Sequence, residues 1–393
     1  MIYFDNAATT PVAADVAETI EKAFREQWGN PSSLHRVGFQ AEKALEEARG
    51  RMAEKLGIPL KSLIFTSGAS ESLNTVLRGV ATQALLSQKM RAQTGSPTDA
   101  PNIVISAVEH AAVYQTAQIL ASYGIEVREI PVDATGQVTV EDVEKRVDAH
   151  TLLVAVMHVN NELGTIFPVA EIATMLHQKS RALFLVDGTQ ALGKLPVNLS
   201  KIGCDFYVAS GHKIHAPKGI GMLYVRPGVT VSPLITGGPQ EYGRRAGTEN
   251  VPYILGFVQA FLAMEKRRGT SFDPAIVKLH EKALARAKVI TGSRINSPAA
   301  GSPYILNIAF TGIKAEVLMH FMEMEEMYLS SGSACSKGKV SRILQAIHLP
   351  EAYLDGALRL SFSRENREEE VDPFFDRLET SIAQIRSITG GNA

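Results

Sequence analysis

Three side chains, far apart in a 393-residue chain, are of types that could act on one small molecule. Lys213 stands in "SGHKIHAPKGIG" (210–221), just after the apolar run "CDFYVA" and beside Ser210 and His212 rather than among other charges. A lysine is ordinarily a solvated surface charge. One held against a strand end suits a desolvated amine of lowered pKa, as Schiff-base chemistry requires. Lys218, in a Pro-Lys-Gly turn of the same loop, is the rival amine and reads as exposed. Asp187 ends an apolar run in "LVDGTQALGK", with Gln190 close behind. That carboxylate is either a turn residue or an anion kept to pair with a cationic ring nitrogen. Cys335 lies in "SSGSACSKGK" (330–339). The small residues before it cost little sterically and permit φ > 0 at Gly332. Lys337 and Lys339 would lower its thiol pKa. Cys204, the only other cysteine, reads as a small buried hydrophobe.

Further polar groups recur after apolar runs. "TSGASESLN" (66–74) offers Ala69 and Ser70 at the start of a helix, where backbone N–H groups and a hydroxyl make either a phosphate cradle or an ordinary N-cap. His110 follows "NIVIS", and Asn160 and Asn161 follow "TLLVAVMH"; a structural histidine and a turn are the plainer readings. Independent caps and turns do not account for a lysine, an acid, a stacking ring and phosphate donors at five successive strand ends.

The elements that must position these groups alternate. Short β-rich runs ("SLIFTS", "NIVISA", "IEVREI", "TLLVAVMH", "ALFLVDG", "CDFYVAS", "GIGMLYV") are mostly separated by helical patterns, which predicts a mostly parallel seven-stranded sheet flanked by helices. Ligands of such sheets sit outside the carboxyl ends of the strands. After about residue 255 two long helical patterns precede the strand-like "PYILNIAF", "EMYLSS" and "GALRLSF", a smaller α+β part. The expected division is 13–255 for the large domain, and 1–12 with 256–393 for the small one. The segment 92–102 has the composition of a surface loop.

Hydrophobic residues at 45%, charged residues at 21% and a net charge of −1 give no reason to expect nucleic acid or an anionic membrane as partner. No apolar run approaches a membrane span. Two cysteines cannot staple a chain this long, so a reducing cytoplasm is expected. No cysteine and histidine cluster has zinc-ligand spacing.

The motifs "YFDNAATTP", "GNPSSLH", "FTSGASES", "EH", "MHVNNE", "VDGTQALGK", "SGHKIHAPKGIG", "RRAGTEN" and "SSGSAC", in this order, resemble the cysteine desulfurases of the NifS/IscS type. These are class V aminotransferase-like enzymes of the fold type I, pyridoxal-phosphate (PLP) dependent group. The resemblance implies that Lys213 binds PLP as a Schiff base, that Asp187 pairs with the pyridine nitrogen, and that Gln190 bonds the ring hydroxyl. His110 would stack on the ring and help move protons. Ala69, Ser70, Ser210 and His212 would hold the phosphate, and Thr248 would reach the phosphate of the other subunit in a homodimer. Asn161 and Arg359 would bind the substrate carboxylate, which a guanidinium can grip with two bonds.

Cys335 would take sulfur from L-cysteine, leaving L-alanine and a persulfide destined for a scaffold or acceptor protein, in iron–sulfur cluster assembly or thio-modification. No resident metal is implied, with Cys335 alone open as a transient iron–sulfur ligand. Alternatives of the same class are selenocysteine cleavage or another class V PLP reaction; one of a different class is a non-catalytic homologue acting as a sulfur-assembly partner. Three positions depart from the family pattern. Ser70 stands for the usual threonine and Gly188 for the usual alanine, and the segment after Cys335 is about two residues shorter than in long-loop members. The insertion at 91–101 also differs from typical members.

Overall fold

A computed structural model of the chain describes residues 1–93, 100–332 and 341–389. Cys335, Lys337, Lys339 and most of the 91–101 insertion lie outside the described residues. The twelve strands are β1 (Ile2–Tyr3), β2 (Leu63–Thr66), β3 (Asn102–Ser106), β4 (Glu126–Ile130), β5 (Thr151–Met157), β6 (Leu183–Asp187), β7 (Phe206–Ser210), β8 (Gly221–Val225), β9 (Ser293–Ile295), β10 (Ile305–Phe310), β11 (Met327–Tyr328) and β12 (Ala357–Ser361). Seven of them form one sheet in the order β2-β8-β7-β6-β5-β3-β4, in which β8 alone runs against its neighbours. Each of the seven predicted β-rich runs supplies one of these strands.

Alternation along the strands splits the apolar residues between two faces, as a period of two requires. Ile103, Ile105, Leu153, Ala155 and Leu185 pack under helix α3 (Ala69–Gln93) and helix α4 (Ala111–Ala121), with Leu73, Val76, Leu77, Val113 and Ala117. Val104, Val154, Val156, Phe184 and Val186 face the other way, into a second core. That second core is continuous with Ile305, Ile308, Leu358, Leu360 and Phe374 around the three-stranded sheet β12-β10-β9. The helix Val251–Arg268 crosses the expected boundary near 255 and packs along the helices Ala14–Glu26 and Arg36–Leu56.

One pairing was not anticipated. β1 runs parallel to β11, and just beyond it Asp5 bridges to Ser361 at the end of β12. The first residues therefore lie across the junction between the two sheets. Their register is fixed by Phe4 and Ala7: the Phe4 amide donates to Tyr328 O at 2.8 Å and the Ala7 amide to Ser361 Oγ at 2.8 Å.

Candidate active site

A cavity of about 470 Å³ opens at the carboxyl ends of the parallel strands. Each strand end contributes as its sequence ends. β2 is followed by Ser67, Gly68, Ala69 and Ser70, the last two opening α3; β3 leads to His110, which caps α4 by accepting the Ala112 amide on Nδ1 at 3.1 Å. β5 leads to Asn161, β6 ends on Asp187 with Gln190 beyond it, and β7 ends on Ser210 before the tight turn carrying His212 and Lys213. Arg359 enters the same cavity from β12. Of the sequence-derived site residues, Ala69, Ser70, His110, Asn161, Asp187, Gln190, Ser210, His212, Lys213 and Arg359 thus share one cavity. Lys218 is exposed at its rim.

Thr248 does not line it. That residue is exposed, beside a neighbouring hollow bounded also by Ser67, Gly219 and Arg245. Cys335 lies outside the described residues. The glycine just before its segment, Gly332, has φ +106°, the left-handed backbone expected of it. Cys204 is buried, its thiol pushed well up by burial, so it is a core residue rather than a nucleophile.

The Lys213 ammonium donates to the carbonyls of Ala7 and Ala8 at 2.7 and 2.6 Å. Burial, opposed by Asp187 and reinforced by Lys213 and Arg342, holds the His110 imidazole below its usual range. His212 is pushed down to about 4 by burial, then by Lys213, Lys218 and Lys194, so near neutrality it offers N–H and lone pair rather than charge. Asp187 is buried at the end of β6, with one carboxylate oxygen accepting the Thr189 amide at 3.0 Å. The helix N-terminus at Ala69–Ser70 and the cations around it favour an anionic group at that end.

Several residues of the site were given no role by the sequence analysis. Asp5 Oδ1 accepts from Arg359 Nη2 at 2.8 Å, and Arg359 Nη1 donates to Asn161 O at 3.0 Å. Asp5 was legible only as part of a family signature. Its hint is an acid directly after the apolar "MIYF". Glu109, fully buried, accepts the Ser106 hydroxyl at 2.6 Å and the Met157 amide at 2.8 Å, and burial pushes its carboxyl up to about 8. Arg342 donates to the carbonyls of Ala107 and Glu109, the turn before His110, and lies 4.2 Å over the Tyr114 ring. Glu162 accepts the Ser341 hydroxyl at 2.6 Å. Arg342 and Ser341 therefore tie the chain just after the cysteine segment to the loops bearing His110 and Asn161.

The cavity suits a phosphorylated pyridine. Three buried polar atoms on its wall, Asn161 Oδ1, Thr189 Oγ1 and Arg359 Nε, have no partner within the protein. Buried polar groups rarely stay unpaired, so they mark where a polar ligand belongs. An amine, a carboxylate and a helix N-terminus are the donor set that such a ligand's aldehyde, ring nitrogen and phosphate need. Among the described residues no group of histidine, cysteine and acidic side chains could hold a metal ion, and no helix is long and apolar enough to cross a membrane.

A lysine, an acid and a histidine at the strand ends of such a sheet define a fold type I enzyme. The family model for aminotransferase class-V matches residues 2–374. Cysteine desulfurase IscS 1 of Archaeoglobus fulgidus is 37% identical over 99% of both chains. A solved NifS-like protein is 35% identical with a TM-score of 0.88, covering 98% of this chain and 99% of that one. Another solved structure, SspA in complex with cysteine, is 31% identical with a TM-score of 0.78, covering 92% of this chain and 99% of its own. The chain belongs to the aminotransferase class-V family and, within it, to the cysteine desulfurases of the NifS/IscS type.

Proposed function

We propose that this chain is a PLP-dependent cysteine desulfurase that converts L-cysteine to L-alanine and leaves a persulfide on Cys335. The observation that carries the reading is the placement of the Lys213 amine in one cavity with Asp187, His110, Gln190 and Arg359. When bound there, PLP supplies an electron sink for the carbon skeleton of the substrate.

The chain's own residues do the rest. Lys213 anchors the cofactor, and two carbonyls already hold its amine at the cavity wall. Asp187 keeps a positive charge on the ring nitrogen, and Ser70, Ala69 N–H, Ser210 and His212 take the phosphate. His110, held neutral by burial, would stack on the ring and can accept a proton. Arg359 and Asn161 fix the substrate carboxylate. The Cys335 thiolate then attacks the substrate sulfur. The S–S bond forms as the C–S bond breaks, the carbon skeleton keeps that electron pair and takes up a proton, and alanine leaves. Thiol plus cysteine thus gives persulfide plus alanine, with no outside oxidant.

The same reading makes the chain a homodimer, with Thr248 presented to the partner's cofactor, and divides it into a PLP-binding part at 13–255 and a smaller part formed by 1–12 and 256–393. It places the protein in a reducing cytoplasm, handing sulfur to an acceptor or scaffold protein.

Two variants test the reading. Lys213→Ala is expected to purify without the visible absorption band of the lysine-bound cofactor. Cys335→Ser is expected to keep the band, yet to form no persulfide and release no sulfide from L-cysteine in the presence of reductant. A coloured Lys213→Ala protein, or sulfide release unchanged in Cys335→Ser, would falsify it.

A further inference from the structure

Lys194 is a buried cation that the mechanism above does not use. It is 3% exposed, four residues beyond Gln190 and just past the turn that follows β6. Its ammonium donates to Gln190 Oε1 at 2.8 Å and lies 5.6 Å from the centroid of the Tyr304 ring. Burial, then Lys213 and Arg359, pushes that ammonium down to about 7. A carbon chain would fill the same space at less cost, because an ammonium loses its hydration there. The hydrogen bond to Gln190 is what the amine adds.

Gln190 also donates from Nε2 to Ala7 O at 3.0 Å, and the same carbonyl accepts Lys213 Nζ at 2.7 Å. While Lys194 is charged its ammonium can only donate, and a carbonyl can only accept, so the two partners together set the amide's orientation. Rotating the amide by half a turn would set N–H against ammonium and oxygen against carbonyl. Gln190 therefore has its oxygen committed to Lys194 and one N–H committed to Ala7. Its second N–H is the donor left for the cavity that the side chain lines.

We propose that Lys194 is a positioning residue that locks the Gln190 amide with N–H toward the cofactor, making Gln190 a donor to the ring oxygen. The inference rests on the reading of Gln190 as the ring-oxygen ligand. A donor at that oxygen favours its ionised form, whereas an amide free to turn would as readily offer its own oxygen and favour the protonated form. Lys194 thus acts at one remove, through Gln190, on the ionisation of the bound group.

The test is a pH titration of the visible absorption band in purified holoenzyme, for wild type, Lys194→Met, Lys194→Arg and Gln190→Leu. Cofactor content and Tm are measured alongside. Lys194→Met is expected to move the titration midpoint up by about one pH unit, a tenfold change in the ionisation constant. Gln190→Leu should move it the same way, and Lys194→Arg, which keeps a donor, should restore at least half of the shift. If Lys194→Met loses the cofactor, Lys194→Leu, which also has no donor, is titrated instead, with the same upward shift expected. A midpoint unmoved in the titrated Lys194 variant while Gln190→Leu shifts it would overturn the role of Lys194 and leave that of Gln190 standing. If neither variant moves it, the reading of Gln190 fails and the inference with it.

Discussion

The cavity has two walls built in different ways. The first, with Asp187, Gln190, Ser210, His212 and Lys213, is carried by neighbouring strands of one sheet, whose ladder and double core leave no freedom in their ends. The second is the corner around Arg359, assembled from Asp5, the Asn161 loop and β12, with partners 354 and 198 residues away. Arg359 is 2% exposed, and it pairs with an acid, Asp5, whose side chain is 20% exposed. The difference teaches that the reacting groups are fixed by backbone while the group proposed to hold the substrate is fixed by side-chain bonds. Crowding the backbone that carries the first wall should cost the fold, and damage to the second should cost affinity.

The largest effect is expected at the first wall. Gly188, where the family has alanine, faces the Tyr207 ring, and a Cβ there would lie 2.0 Å from ring carbons. The ring cannot retreat freely, since Tyr207 is fully buried and its hydroxyl is 3.0 Å from His158 Nδ1. Gly188→Ala should therefore destabilise the protein by about 3 kcal/mol, the cost of forcing atoms into a packed core. Denaturant unfolding of Gly188→Ala, with and without Tyr207→Leu to clear the space, checks this; no loss in the single variant would break the contrast.

The corner should respond differently. Asp5→Asn keeps the shape but removes the charge opposite Arg359. The KM for L-cysteine should rise roughly tenfold, about 1.4 kcal/mol, with kcat and Tm nearly unchanged. Steady-state kinetics read this directly, and a Tm collapse in place of a KM change would put the corner in the same class as the sheet wall.

The last effect is read in its pH dependence and concerns Glu109, behind the first wall. Its folded carboxyl titrates near 8, against 4.5 without the fold. Between those values the unfolded chain has released a proton that the folded one keeps, so stability falls as pH rises through that window and levels off above it. Glu109→Gln removes the titrating group while keeping an acceptor for Ser106 and Met157. The Tm of the variant minus that of wild type should therefore be larger at pH 8 than at pH 5, measured by thermal unfolding. A difference independent of pH would mean that Glu109 is ionised in the fold.

The same division separates what the sequence discloses from what it conceals. Lys213, Asp187, Ser210 and His110 were legible because a strand end announces itself as a polar residue after an apolar run, and period-two patterning tells which runs are strands. Family resemblance added their roles. Asp5, Glu109 and Arg342 were not legible, because each matters through a partner brought near only by the fold: Arg359, Met157 or the turn before His110. Lys194 is near Gln190 in sequence, but its burial shows only in the fold. A short strand such as β1, two residues long, has no periodicity to detect. The Tyr207 ring that explains Gly188 is likewise invisible until β6 and β7 lie side by side.

The N-terminal segment has a consequence for the order in which the protein is made. Residues 4–8 leave the ribosome long before Tyr328 and Ser361, on which Phe4 and Ala7 dock. Until then the carbonyls that receive the Lys213 amine are held from the large-sheet side alone, by Gln190 on Ala7 O and by Thr9 and Thr10 on His212. The nascent chain can complete its large sheet once β8 is made, but the pocket closes only after Ser361 has followed, so a polypeptide that stops short of it has no finished site in which to capture cofactor.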